Sequence, residues 1–90
     1  MEEVHLKGKN TSKERFATCF GVVIREYRTK AKLSQVELAS MSDINKNYIT
    51  DIEKGRKGIS LYLAFVLSTN LNVSLSTLIN DTVKKLHQDP

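Results

Sequence analysis

Apolar residues recur along this chain at steps of three and four, and each run opens with a short polar signal. Phe16, Phe20, Val23, Ile24 and Tyr27 share one face of a helix that the spacing carries to about Ala31. Thr11 and Glu14 stand ahead of it at capping-box spacing, where hydroxyl and carboxylate can satisfy each other's backbone N–H groups. Ser34 and Glu37 repeat that signal, with Leu33 and Leu38 placed as a hydrophobic staple, for a second helix ending near Met41. Asn45 caps a third helix from Lys46 to about Lys54, Ile44 and Ile49 take the staple positions, and Gly55 closes it in the left-handed conformation. Ser60 caps a fourth helix, LYLAFVLSTNL, which ends at Asn72. Ser74, stapled by Val73 and Leu78, opens a fifth that reaches toward Leu86. No strand pattern, internal repeat or linker interrupts the series. The expected fold is all-α with five helices, one domain over 11–90 behind a flexible N-terminal arm, MEEVHLKGKN, over 1–10.

The second and third helices are short and only Ser42 to Asn45 separates them, so they must cross steeply, as in a helix-turn-helix. With Ile49 and Ile52 turned inward, roughly 100° per residue puts Asn47, Thr50, Asp51 and Lys54 outward, with Lys46 and Tyr48 on opposite flanks. Such a helix buries little of itself and displays hydrogen-bonding groups. A major groove about 12 Å wide admits one helix. Lys46 can donate to guanine, Asn47 can pair with adenine, and Thr50 can bond a base or touch a thymine methyl. Asp51 can face a duplex only by accepting from cytosine N4 or by being neutralised by a neighbour such as Lys54. Ser34, Gln35 and Ser60 begin helices whose free N–H groups suit phosphate, and Lys54, Arg56 and Lys57 cluster beyond the third helix.

Charge agrees without deciding the matter. The net charge is +4, and residues 1–33 hold eight basic and four acidic groups while the remainder holds six of each. That balance suits a polyanion, and it equally suits a solvated surface. Enzyme chemistry has little to stand on. His5 lies in the arm and His87 near the end, Cys19 is a core residue with no partner for a disulfide, and neither a glycine-rich phosphate loop nor paired metal-ligand spacing occurs. No metal or cofactor is expected. No apolar run approaches the roughly 20 residues of a membrane span and no secretory leader pattern opens the chain, so the expected location is cytoplasmic.

From Phe20 to Leu78 the chain resembles the lambda repressor and Cro-like (XRE-type) helix-turn-helix family. The resemblance is carried by IREYR, LSQVELA, NYITDIEKG, ISL and LNVSLSTL. Within that family it is most similar to the small controller proteins of restriction-modification systems, in length and in the Tyr-Ile pair of the third helix. The resemblance implies base contacts from Lys46, Asn47, Thr50 and Asp51, phosphate contacts from Gln35, Tyr48, Lys54 and Lys57, and a structural ion pair between Arg28 and Glu53. It departs at the turn, where the family often has glycine and this chain has Asp43. Aspartate tolerates φ > 0 better than most residues.

The fourth helix is too apolar to cover one core. Leu61, Ala64, Phe65, Leu67 and Leu71 suffice for an inward face, which leaves Tyr62, Leu63 and Val66 either to a more deeply buried helix or, as the preferred reading and joined by Ile79, Val83 and Leu86, to a two-fold interface. Two reading helices about 34 Å apart would then select a palindromic operator. The expected partners are double-stranded DNA, a second copy of the chain and RNA polymerase, with no membrane and no small-molecule ligand. The alternative is an antitoxin or protein-sequestering module built on the same fold.

Overall fold

A computed structural model describes residues 12–88, which form five α-helices: α1 (Lys13–Lys30), α2 (Gln35–Met41), α3 (Lys46–Glu53), α4 (Leu61–Asn70) and α5 (Leu75–Gln88). The expected arm and Thr11 lie outside the described residues. Helix α1 is capped by Ser12, whose side chain accepts from the Arg15 N–H at 3.0 Å. Moving the cap one residue on from Thr11 takes Glu14 out of box register. Its carboxylate remains in the first turn, where the helix dipole favours negative charge.

Helices α1 to α4 all end the same way. In each, the residue after the C-cap has positive φ (Lys32 62°, Asp43 57°, Gly55 73°, Asn72 61°), and the next N–H reaches back to a carbonyl five residues earlier. Leu33 donates to Arg28, Ile44 to Ala39, Arg56 to Asp51 and Val73 to Ser68, the Schellman arrangement that satisfies the last carbonyls. At three of these ends an aliphatic residue and a polar cap follow at once: Lys32-Leu33-Ser34, Asp43-Ile44-Asn45 and Asn72-Val73-Ser74. Leu33, Ile44 and Val73 each pack against the core, closing one helix and stapling the next. Sharp reversals made this way need only four residues.

The core gathers Phe20, Val23 and Ile24 from α1, Leu38 and Ala39 from α2, Ile49 and Ile52 from α3, Leu63, Ala64, Leu67 and Leu71 around α4, and Leu78 from α5. Helix α1 lies against α3 and α5, α2 against α3 and α4, and α4 against α5. Tyr27 donates to the Asp81 carboxylate, which ties α1 to α5 and, with desolvation adding, raises the phenol above its ordinary range. Cys19 is buried. Gly21 permits a backbone-to-backbone approach, because a Cβ there would stand 2.2 Å from the Ile52 carbonyl oxygen and 2.9 Å from that of Glu53.

Helix α4 corrects the expected inward face. Leu63 is only 8% exposed and sits in the core, whereas Leu61 (74%), Tyr62 (74%) and Phe65 (55%) face outward. The reason is that apolar residues all round give a helix no hydrophobic direction. Its rotation is set instead by neighbours, with Ile59 packed against the core just ahead of the Ser60 cap. Leu86 is likewise a core residue, aligned with Leu78 and Thr82 along the buried side of α5. Leu63 and Leu86 therefore leave the expected interface. Val66 and Ile79 are half-buried and Val83 is exposed.

Two substitutions should move stability in opposite directions. Gly21→Ala drives a methyl into carbonyl oxygens that cannot retreat without shifting α3, and should cost about 1–3 kcal/mol in urea denaturation. Lys32→Gly relieves a left-handed side chain and should gain on the order of 1 kcal/mol.

Candidate nucleic-acid interface

Helix α3 buries Ile49 and Ile52 and begins at Asn45, whose side-chain oxygen accepts from the Asn47 N–H at 2.7 Å. That orientation exposes Lys46, Asn47 and Lys54 and leaves Tyr48, Thr50 and Asp51 half-buried. Asp51 lies 3.8 Å from Arg56, so Arg56 rather than Lys54 is its cationic neighbour. Lys57 stands over the Tyr48 ring, 5.0 Å from its centre, which holds a cation and a phenol together at the edge of the exposed face.

A network of side chains supports that face from behind. Arg28 grips Glu53 with two parallel bonds, Nε to Oε2 at 2.6 Å and Nη2 to Oε1 at 3.0 Å, and its Nη1 donates to the Leu33 carbonyl at 2.8 Å. Gln35 donates from Nε2 to Glu53 Oε1 at 3.0 Å, and the Thr50 hydroxyl donates to Gln35 Oε1 at 2.9 Å. Four side chains thus join α1, the α1–α2 turn, α2 and α3. Both charged groups are largely buried, with side chains 11% and 4% exposed. The Glu53 hydrogen bond outweighs desolvation and raises the Arg28 guanidinium above its already high ordinary value.

This arrangement limits what each polar group can offer. With its proton directed to Gln35, Thr50 presents an acceptor oxygen and a methyl group, and Gln35 keeps one free amide hydrogen. Ser34 and Glu37 form a complete capping box that occupies the Ser34 N–H, and Ser60 accepts from the Leu63 N–H. Each serine retains its hydroxyl proton. The link between Gln35 and Thr50 has no trace in the sequence, since fifteen positions separate residues that only the packing of α2 on α3 brings together.

Two short helices packed together across a four-residue turn with a left-handed residue, and a polar outer face on the second of them, define a helix-turn-helix protein. A helix-turn-helix family model matches residues 24–78. Control protein C.MunI of Mycoplasma sp. is 33% identical over 67 residues, which are 73% of this chain and 90% of that protein. Control protein C.BamHI of Bacillus amyloliquefaciens is 36% identical over 64 residues, 70% of this chain and 79% of the relative. The crystal structure of the restriction-modification controller protein C.AhdI from Aeromonas hydrophila superposes with a TM-score of 0.67 at 34% identity, covering 69% of this chain and 94% of that one. The chain belongs to the lambda repressor and Cro-like (XRE-type) helix-turn-helix family.

The network's contribution can be measured by a double-mutant cycle. Arg28→Met and Glu53→Met should each cost about 3 kcal/mol, because each leaves a buried charge without its partner, while the double variant should recover most of the loss. Urea denaturation of the four proteins reads the coupling.

Proposed function

We propose that the protein is a cytoplasmic, sequence-specific DNA-binding regulator that controls a restriction-modification system and acts as a dimer on a palindromic operator. The observation that carries this reading is the exposed polar face of α3, held in place by the buried Arg28–Glu53–Gln35–Thr50 network. Lys46, Asn47, Thr50 and Asp51 are assigned to base edges in the major groove. Lys46 donates and Asn47 pairs bidentately; Thr50 accepts or touches a methyl, and Asp51 reaches cytosine N4 with Arg56 offsetting its charge. Ser34, Gln35, Tyr48, Lys54, Arg56, Lys57 and Ser60 are assigned to phosphates on either side. Kinship with C.MunI, C.BamHI and C.AhdI supports the controller role. Control of transcription then follows from where the operator lies, by excluding RNA polymerase from a promoter or by helping it bind.

The dimer rests on Leu61, Tyr62 and Phe65, which form one exposed apolar stripe along α4. Beside it a hollow of about 470 Å³ is lined by Phe16, Phe20, Leu61, Ala64 and Ile79 among others, so the stripe is bordered by a surface into which a second copy can pack. A two-fold axis through α4 sets the spacing of the two α3 helices, and matching half-sites follow from the symmetry.

Fluorescence anisotropy with a duplex of the protein's own upstream DNA, against a scrambled duplex, tests the reading. Binding should favour the upstream duplex, and five to eight neutralised phosphates give a log–log salt slope of about −4 to −7. The double variant Lys46→Ala, Asn47→Ala should lose the preference; equal weak binding of wild type to both duplexes would favour a protein-sequestering module instead. For the dimer, Phe65→Asp should sediment as a folded monomer and bind the operator at least tenfold more weakly, on the order of the cost of losing one half-site contact. An undiminished dimer would rule out the α4 stripe as its interface.

A further inference from the structure

Between the C-terminal half of α1 and the helix-turn-helix lies a hollow of about 260 Å³, lined by Arg25, Arg28, Gln35, Glu53 and Lys54. Among the described residues Glu53 is the single carboxylate in that lining, and both its oxygens are occupied, Oε2 by Arg28 and Oε1 by Arg28 and Gln35. The Arg28–Glu53 pair is therefore neutral as a unit, and the uncompensated charge of the hollow comes from Arg25 and Lys54, both exposed. No acid competes for Arg25 along its own helix. The positions three and four residues away are Gly21, Val22, Arg28 and Thr29, and the adjacent Glu26 is engaged by Lys85 at 3.1 Å. Gln35 contributes the amide hydrogen that Glu53 does not take.

Two cations and a neutral donor around a concavity whose only carboxylate is already satisfied are complementary to a tetrahedral oxyanion. The hollow also adjoins the proposed reading face, since Lys54 caps α3 and Gln35 touches Thr50. We propose that this hollow seats one phosphodiester of the bound duplex, clamped between Arg25 and Lys54 with Gln35 donating, and that Arg25 is a DNA contact supplied by α1. The proposal rests on the DNA-binding reading above. A contact from α1 holds the duplex from a helix other than the reader, and so fixes how deeply α3 sits in the groove without carrying sequence information.

The test compares wild type, Arg25→Gln, Arg25→Lys, Lys54→Gln and the Arg25→Gln, Lys54→Gln double variant, with the upstream and the scrambled duplex over a salt series. Arg25→Gln should melt as wild type does and bind both duplexes more weakly by a similar factor of about tenfold, while Arg25→Lys retains most of the affinity. The double variant should flatten the salt slope by about one unit per subunit, the value for one phosphate. A change of about two units per subunit would mean separate phosphates and overturn the shared clamp. Wild-type affinity in Arg25→Gln, or a loss confined to the upstream duplex, would overturn the role of Arg25 while leaving the DNA-binding reading intact. Wild type that cannot distinguish the two duplexes would overturn both.

Discussion

A helix anchored by two apolar side chains can still roll about the line that joins them. Ile49 and Ile52 are the only fully buried side chains of α3, and they lie on one side of it. They hold the helix on the core and set the broad face it shows, while leaving its exact roll free. Glu53 supplies the missing constraint: it lies off that line and is gripped by Arg28 from α1 and by Gln35 from α2. A buried ion pair seldom contributes more stability than apolar residues of similar size would. Its value here is geometric, because rolling α3 would break three directional hydrogen bonds at once.

The same constraint reaches the exposed surface through Gln35. Its amide orientation is set on one side by Glu53 and on the other by the Thr50 hydroxyl, so a group on the outer face of α3 is positioned by a charge buried in α1. Gly21 makes this possible. Only where α1 lacks a Cβ can its backbone approach the carbonyls of Ile52 and Glu53, bringing the Arg28 guanidinium within reach of the end of α3. A hydrogen atom in place of a side chain and a fully paired charge are two parts of one close approach.

Local signals made most of the architecture legible. Caps, staples and left-handed closing residues act over five or six positions, so Ser34, Asn45, Gly55, Ser60 and Ser74 could be placed from sequence, and with them the boundaries of α2 to α5. The unreadable parts depend on contacts distant in sequence. Gly21 looks like an ordinary small residue within a helix until α3 is laid across it. Helix α4 was legible in its ends and not in its rotation, since Leu61, Tyr62, Leu63, Phe65 and Val66 offer no polar side to exclude from the core. The exposed face of α3 was readable for the converse reason: polar residues occupy every direction except that of its two isoleucines. Arg25 lies within IREYR, but that motif assigns it no contact, and its place beside Lys54 and Gln35 exists only in three dimensions.

What makes the rotation of α4 hard to read also bears on what the helix does. A helix with polar residues outside has one buried face and is then finished. One that is apolar all round has a second face that gains by leaving water, and Leu61, Tyr62 and Phe65 are that face. Helix α4 is not an independent appendage to the helix-turn-helix, because Asn70 at its last turn donates to Ser42 in the turn between α2 and α3 at 2.9 Å. At its other end, Ile59 and the Ser60 cap fix how the chain leaves α3 and enters α4. On the proposed reading, any surface that pairs two α4 helices therefore also sets the distance and angle between two α3 helices. Operator spacing is then a property of the apolar stripe as much as of the polar face, and a substitution on the stripe would act on DNA without touching it.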